Sequence, residues 1–140
     1  MRKIFLSLLV LVTISSVAQD LPKNYASLLK EVEPELIAWR RHFHEFPELS
    51  NREVNTGKYI ADFLKTLPNL EVRYPVAKTG VVAVLKGGKP GAVIALRADI
   101  DALPVYERVA IPFASKVTTE FNGQKVNVMH ACGHDSHTAM

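Results

Sequence analysis

The sequence predicts an α/β fold in which helices pack against a mixed sheet. Apolar residues recur at helical spacing before Pro68, and runs rich in β-branched residues follow it. The length of 140 residues leaves room for one compact domain. An apolar fraction of 48% with 22% charged residues is typical of a globular chain, and it excludes a disordered or low-complexity protein.

The first helix is predicted over residues 25–44. Pro34 lies inside this range, where it either kinks the helix or begins its second half. The sequence from Ser50 to Glu53 has the form of a capping box, which predicts a second helix that ends near residues 67–68. The apolar positions that define the two helices are Leu29, Val32, Leu36, Trp39 and Phe43 in the first, and Val54, Ile60, Phe63 and Leu64 in the second.

Three strands are predicted after the helices, over residues 70–74, 80–85 and 92–96. The last of these is wholly apolar, which indicates a strand that is covered on both faces. A glycine-rich turn at residues 87–91 is expected to join the last two strands as a hairpin.

The first eighteen residues have the pattern of a secretory signal peptide. A short basic start precedes a nearly continuous apolar run at residues 4–12, and Ser16 and Ala18 are small residues where a signal peptidase cleaves. The run is shorter than the roughly 20 residues that span a bilayer. We therefore expect cleavage after Ala18 and export to a periplasm or the exterior, without membrane attachment; a retained anchor is the alternative.

The net charge gives little support to a nucleic-acid partner. Arg2 and Lys3 lie in the predicted signal peptide, and without them 15 of the 17 basic residues remain against 14 acidic ones. Such a balance does not provide the basic surface that phosphate backbones attract. Four further basic residues near the end of the first helix, Arg40, Arg41, His42 and His44, are expected to form a solvated face.

Two acidic residues follow the predicted third strand within the sequence RADIDALP at residues 97–104. Asp99 would lie at or just beyond the carboxyl end of the strand, where open α/β sheets place their ligands. Asp101 would point to the opposite side if the strand continued. A simple turn is the alternative interpretation, since Asp and Pro are common turn residues.

Metal-ligand residues are concentrated at residues 130–137, which read HACGHDSH. Gly133 separates Cys132 from His134 and permits a sharp bend, so that both donors can face one ion. Thiolate and imidazole are good ligands for zinc and similar metals, and Asp135 could act as a ligand or orient a histidine. A histidine-rich surface loop is the alternative interpretation.

Three segments together resemble successive signatures of the metallo-amidohydrolases: residues 40–48 (RRHFHEFPE), 96–104 (LRADIDALP) and 129–139 (MHACGHDSHTA). The branch that they resemble includes hippurate hydrolase, the hydrolases of indole-acetyl amino acids and the N-acyl-amino-acid deacetylases. This branch is part of the wider aminoacylase and carboxypeptidase superfamily.

The resemblance implies metal-assisted hydrolysis of the amide bond in a small N-acyl amino acid. It implies that Cys132 and His134 are ligands of a dinuclear centre and that Asp99 is the active-site aspartate. The centre would hold two divalent ions, for which a thiolate and an imidazole favour zinc, with manganese, cobalt or nickel as alternatives. A homodimer is implied for the full-length protein.

Members of this family are several-fold longer than 140 residues. The resemblance implies that their catalytic glutamate, further glutamate and histidine ligands and an inserted dimerisation domain follow the third signature. Residues 19–140 are therefore expected to be the N-terminal portion of the catalytic domain. The alternatives are an inactive truncated remnant and a small exported module that binds a metal or thiol through Cys132, His134 and His130.

Overall fold

The computed structural model of the protein describes residues 23–140. The predicted signal peptide, residues 1–18, lies outside this range. The described residues form α1 (Tyr25–Glu45), α2 (Val54–Thr66), β1 (Leu70–Val76), β2 (Gly80–Leu85), β3 (Thr118–Phe121), β4 (Gln124–Asn127) and α3 (His134–Ala139). This combination of helices and strands confirms the predicted α/β class. No helix within residues 23–140 is long and apolar enough to cross a membrane.

The first helix has nearly the predicted bounds, and Pro34 lies within it without ending it. Its apolar stripe is buried only toward the C-terminal end, where Phe43 is 6% exposed while Leu29 is 51% exposed. The reason is that only the later turns meet other helices: the Trp39 and Phe63 rings lie 4.7 Å apart, centroid to centroid.

The second helix begins at Val54, so the predicted capping box at Ser50 is wrong. The carboxylate of Glu48 takes the capping role instead. It accepts hydrogen bonds from the backbone N–H of Asn55 at 3.2 Å and of Thr56 at 2.8 Å. A negative charge at a helix N-terminus also interacts favourably with the helix dipole.

The predicted buried side of α2 is confirmed in part: Ile60, Phe63 and Leu64 are half-buried, but the most buried residues are small ones that were not predicted. The buried residues are Thr56, Gly57 and Ala61, whereas Val54 is 57% exposed. A Cβ atom at Gly57 would lie 2.3 Å from the backbone oxygen of Thr79, so only glycine allows this close approach.

The strands β1 and β2 occupy the predicted positions and pair with each other as an antiparallel hairpin. The predicted third strand is wrong: residues 92–96 form no strand, and Val93 and Leu96 are 97% and 96% exposed. The predicted hairpin between residues 80–85 and 92–96 is therefore wrong too. A strand requires a neighbour to accept its hydrogen bonds, and within residues 23–140 no strand pairs with this segment.

A second hairpin, formed by β3 and β4, was not predicted. Its two-residue turn is Asn122–Gly123, with φ angles of 52° and 74°. An Asn-Gly pair is a strong hairpin signal because both turn residues need positive φ. The sheet structure of residues 23–140 thus consists of two separate antiparallel pairs, with no parallel strand pair.

A small apolar cluster joins the loops between these elements. Leu49, Ala102 and Val128 are each at most 4% exposed and pack together. Leu49 and Ala102 form a parallel bridge, and Leu103 and Met129 an antiparallel one. The segment that follows residue 96 is therefore anchored beside the segment that leads into α3.

Candidate metal centre

Backbone hydrogen bonds bring the two predicted clusters of chemically active residues together. The N–H of Leu103 donates to the carbonyl of Met129, and the N–H of Met129 donates to the carbonyl of Leu103, both at 3.0 Å. Because Leu103 follows the aspartate pair and Met129 precedes the cysteine–histidine cluster, this bridge places both clusters on one side of the molecule.

The cysteine–histidine cluster contains the sharp bend that the sequence predicts. Gly133 has a φ of +84° and immediately precedes α3. This left-handed conformation favours glycine. A Cβ atom at Gly133 would meet nothing within 4 Å, so the requirement is conformational rather than steric. Cys132 lies before the bend with an exposed free thiol, and His134 lies after it, half-buried.

His134 is oriented by Asp101. The Nδ1 atom of His134 lies 3.0 Å from Asp101 Oδ1 and 2.9 Å from the Asp101 backbone oxygen. Both oxygens are acceptors, so Nδ1 donates, and the neutral ring then presents the free lone pair at Nε2. A carboxylate or carbonyl on the far nitrogen is the usual partner of a metal-binding histidine, because it sets the tautomer and the ring orientation.

Asp99 occupies a more open position than Asp101. Its side chain is 47% exposed, and its Oδ1 accepts a hydrogen bond of 2.6 Å from Arg97. The backbone oxygen of Asp99 accepts one of 3.0 Å from Thr138 Oγ1 in α3. The segment of Asp99 is thus joined to α3, but the carboxylate that contacts His134 belongs to Asp101. The role of Asp99 as the active-site aspartate stays a prediction.

His130 is a buried histidine, and neither of its ring nitrogens has a hydrogen-bond partner among residues 23–140. It is 5% exposed. Burial lowers its pKa to about 4, although the negative charge of Asp135 acts in the opposite direction. The ring is therefore neutral at physiological pH. A buried polar atom without a partner costs about 1–3 kcal/mol of stability.

A buried network of hydrogen bonds, which was not predicted from the sequence, connects α1 to α3. His44 Nδ1 lies 2.9 Å from Asp135 Oδ2, and His44 Nε2 lies 2.8 Å from Glu107 Oε2. Arg40 Nε donates to the same Asp135 oxygen at 3.0 Å. The expected solvated face is thus wrong for His44, which is 5% exposed. The spacing of Arg40 and His44, one helical turn apart beside the apolar stripe, is the signal that could have identified the network.

The hydrogen bonds of this network keep its carboxyl groups acidic. Burial would raise the pKa of Asp135, but the hydrogen bond with His44 and the charge of Arg40 together hold it below its ordinary value. For Glu107, the N–H of Val109 contributes most to a lowered pKa; burial opposes this effect, and His44 reinforces it. Both side chains are therefore ionised at neutral pH.

The donor chemistry of Cys132 and His134 fits a divalent transition metal. A thiol that is accessible and an imidazole whose Nε2 is free are the sulfur and nitrogen ligands that zinc prefers. Within residues 23–140, no set of three or more His, Cys, Asp or Glu side chains is arranged to hold an ion. If these two residues bind a metal, they supply only part of its coordination shell, which is what the resemblance implies.

Comparisons with known proteins identify the family that the chain resembles. Residues 95–140, which contain both clusters, match the family described as Peptidase family M20/M25/M40. The chain is 48% identical to N-acyl-L-amino acid amidohydrolase of Geobacillus stearothermophilus over 81% of its length. It is 46% identical to thermostable carboxypeptidase 1 of Saccharolobus solfataricus over 86% of its length.

A solved structure gives the same result. The chain superimposes with a TM-score of 0.67 and 50% identity on a Bacillus subtilis protein described as a dinuclear metal binding peptidase from the M20 family, over 79% of its own length. The chain spans 28–29% of the length of these three relatives. The resemblance inferred from the three signatures is thus confirmed: residues 95–140 match peptidase family M20/M25/M40, and most of the chain is similar to hydrolases and a peptidase of this kind.

Proposed function

We propose that this chain provides Cys132 and His134 to a dinuclear metal centre that hydrolyses the amide bond of N-acyl amino acids. The observation that carries the proposal is the hydrogen bond from His134 Nδ1 to the Asp101 backbone oxygen, with the Asp101 carboxylate 3.0 Å from the same nitrogen, which leaves Nε2 free beyond the bend at Gly133. The relatives, which include an amidohydrolase and a carboxypeptidase, support the type of bond that is cleaved.

Four residues of the chain have distinct roles in this proposal. The thiolate of Cys132 and Nε2 of His134 hold metal, and Asp101 keeps the imidazole in the required tautomer and orientation. Asp99 is the proposed active-site carboxylate. The metal ions, when bound, acidify a water molecule and polarise the amide carbonyl. The mixed sulfur and nitrogen donors favour zinc over manganese, cobalt or nickel.

Three further properties belong to the same proposal. The basic and apolar pattern of residues 1–18 supports export with cleavage after Ala18. The family resemblance supports a homodimeric full-length protein. The near-neutral charge from residue 19 onward supports a small-molecule substrate rather than a nucleic acid.

A chimera tests the proposed activity. Residues of this chain replace the aligned segment of the Geobacillus amidohydrolase, which supplies the rest of the enzyme. The chimera is assayed against hippurate and a panel of N-acetyl amino acids, with and without a chelator. We expect hydrolysis that the chelator abolishes and zinc restores, and its loss in the Cys132→Ala and His134→Ala chimeras. Activity that persists in both variants would contradict the proposal.

A further inference from the structure

The buried histidine His44 lies at the last turn of α1 and contacts two other segments through its two ring nitrogens. We propose that His44 is a positioning residue for the metal centre, which holds α3 and thereby the ligands on either side of Gly133 in place. This inference rests on the proposed function, because it assigns to His44 the alignment of the proposed ligands Cys132 and His134.

The contacts of His44 join three parts of the chain that are distant in sequence. The ring belongs to α1, Asp135 belongs to α3, and Glu107 belongs to the loop that follows the aspartate pair. The side chains of His44, Asp135 and Glu107 are 6%, 2% and 4% exposed. Hydrogen bonds to carboxylates that are shielded from water are stronger and more directional than those at a surface.

The helix α3 depends on such contacts for its position. It has six residues, whereas isolated helices shorter than about 12 residues are marginal in water. Only two of its residues, Asp135 and Ala139, are buried. Because Gly133 precedes it in a left-handed conformation, the helix is joined to the rest of the chain by a backbone position with wide conformational freedom.

Two separate sets of bonds hold α3. In the first set, His134 and Thr138 bond to the segment that contains Asp99 and Asp101. In the second set, Asp135 bonds to His44 and Arg40 of α1. The imidazole of His134 therefore reaches its position only when both sets are intact.

Removal of the His44 ring has a defined physical consequence. Asp135 and Glu107 would each lose a hydrogen-bond partner while still buried and ionised, and Arg40 would be the remaining charged partner of Asp135. The carboxylates regain hydrogen bonds by moving toward water, and α3 moves with Asp135. Because His44 supports the metal ligands only indirectly, we expect its removal to weaken metal binding about 10-fold. This value is the low end of the range for residues that support metal ligands.

The experiment is a Co²⁺ titration of the 140-residue chain, followed by the absorption of the cobalt–thiolate bond. The variants are His44→Ala and His44→Gln, since glutamine can still donate to one of the two carboxylates. Thr79→Val is the matched control: Thr79 is buried and donates to the Glu53 carboxylate at 2.6 Å, on the hairpin away from the metal centre. Urea unfolding of each variant measures whether the two stability losses are comparable.

We expect His44→Ala to weaken Co²⁺ binding about 10-fold and to change the thiolate band, with partial recovery in His44→Gln and the wild-type affinity in Thr79→Val. Equal affinities and identical spectra in wild type and His44→Ala would overturn the positioning role and leave the proposed metal centre intact. Equal weakening in His44→Ala and Thr79→Val would also overturn it, because loss of stability alone would then be the cause. A wild-type chain without a cobalt–thiolate band would overturn both proposals.

Discussion

The bond between Asp101 and His134 is the contact whose removal gives the most informative result. In an Asp101→Ala variant, His134 Nδ1 loses the carboxylate at 3.0 Å but keeps the backbone oxygen of residue 101 at 2.9 Å. Loss of such a supporting partner reduces metal affinity by 10–100-fold, which corresponds to about 1.4–2.7 kcal/mol. Because one acceptor remains, we expect the zinc affinity to fall about 10-fold.

The assay is zinc binding to the 140-residue chain by competition with a chromogenic chelator. Asp99→Ala is the matched variant, because Asp99 is two residues away and its carboxylate pairs with Arg97 rather than with His134. We expect Asp99→Ala to retain nearly the wild-type zinc affinity. If Asp99→Ala weakened zinc binding more than Asp101→Ala, the orienting role assigned to Asp101 would be refuted.

Three other predictions concern stability. Glu48→Ala removes the cap of α2 and should lower the free energy of urea unfolding by about 1 kcal/mol, whereas Ser50→Ala should change it by less than about 0.5 kcal/mol. A larger loss in Ser50→Ala than in Glu48→Ala would instead support a capping box at Ser50. Gly133→Ala places a side chain at a φ of +84° and should cost about 1–2 kcal/mol; an unchanged unfolding midpoint would contradict that conformation. Because the pKa of Glu107 is lower in the folded chain, its carboxylate stabilises the fold above the ordinary glutamate pKa, and this stabilisation is lost as the pH falls through the lowered pKa. Glu107→Gln should thus flatten the decline of stability in acid, and an unaltered decline would show that Glu107 has no part in it.

Features that depend on neighbouring residues were predictable from the sequence. Helical spacing of apolar residues identified α1, and the β-branched run at residues 80–85 identified β2. The bend at Gly133 followed from the short spacing between Cys132 and His134, which needs a residue that tolerates positive φ. Each of these features arises from contacts or conformations within a few residues.

Features that depend on distant residues were not predictable in the same way. An apolar run such as residues 92–96 becomes a strand only beside a partner, and within residues 23–140 none pairs with it. Glu48 replaced Ser50 as a cap because the chain folds back before α2. The choice of Asp101 over Asp99 as the partner of His134 depends on the bridge from Leu103, which joins segments about 26 residues apart.

X-ray absorption spectroscopy of the zinc-loaded chain tests the central claim most directly, because it measures which atoms surround the metal. We predict one sulfur at about 2.3 Å and a nitrogen at about 2.0–2.1 Å, with the sulfur lost in Cys132→Ser and the imidazole signal lost in His134→Ala. A zinc shell made only of oxygen and nitrogen, or one that is the same in both variants, would contradict the assignment of Cys132 and His134 as ligands of one centre.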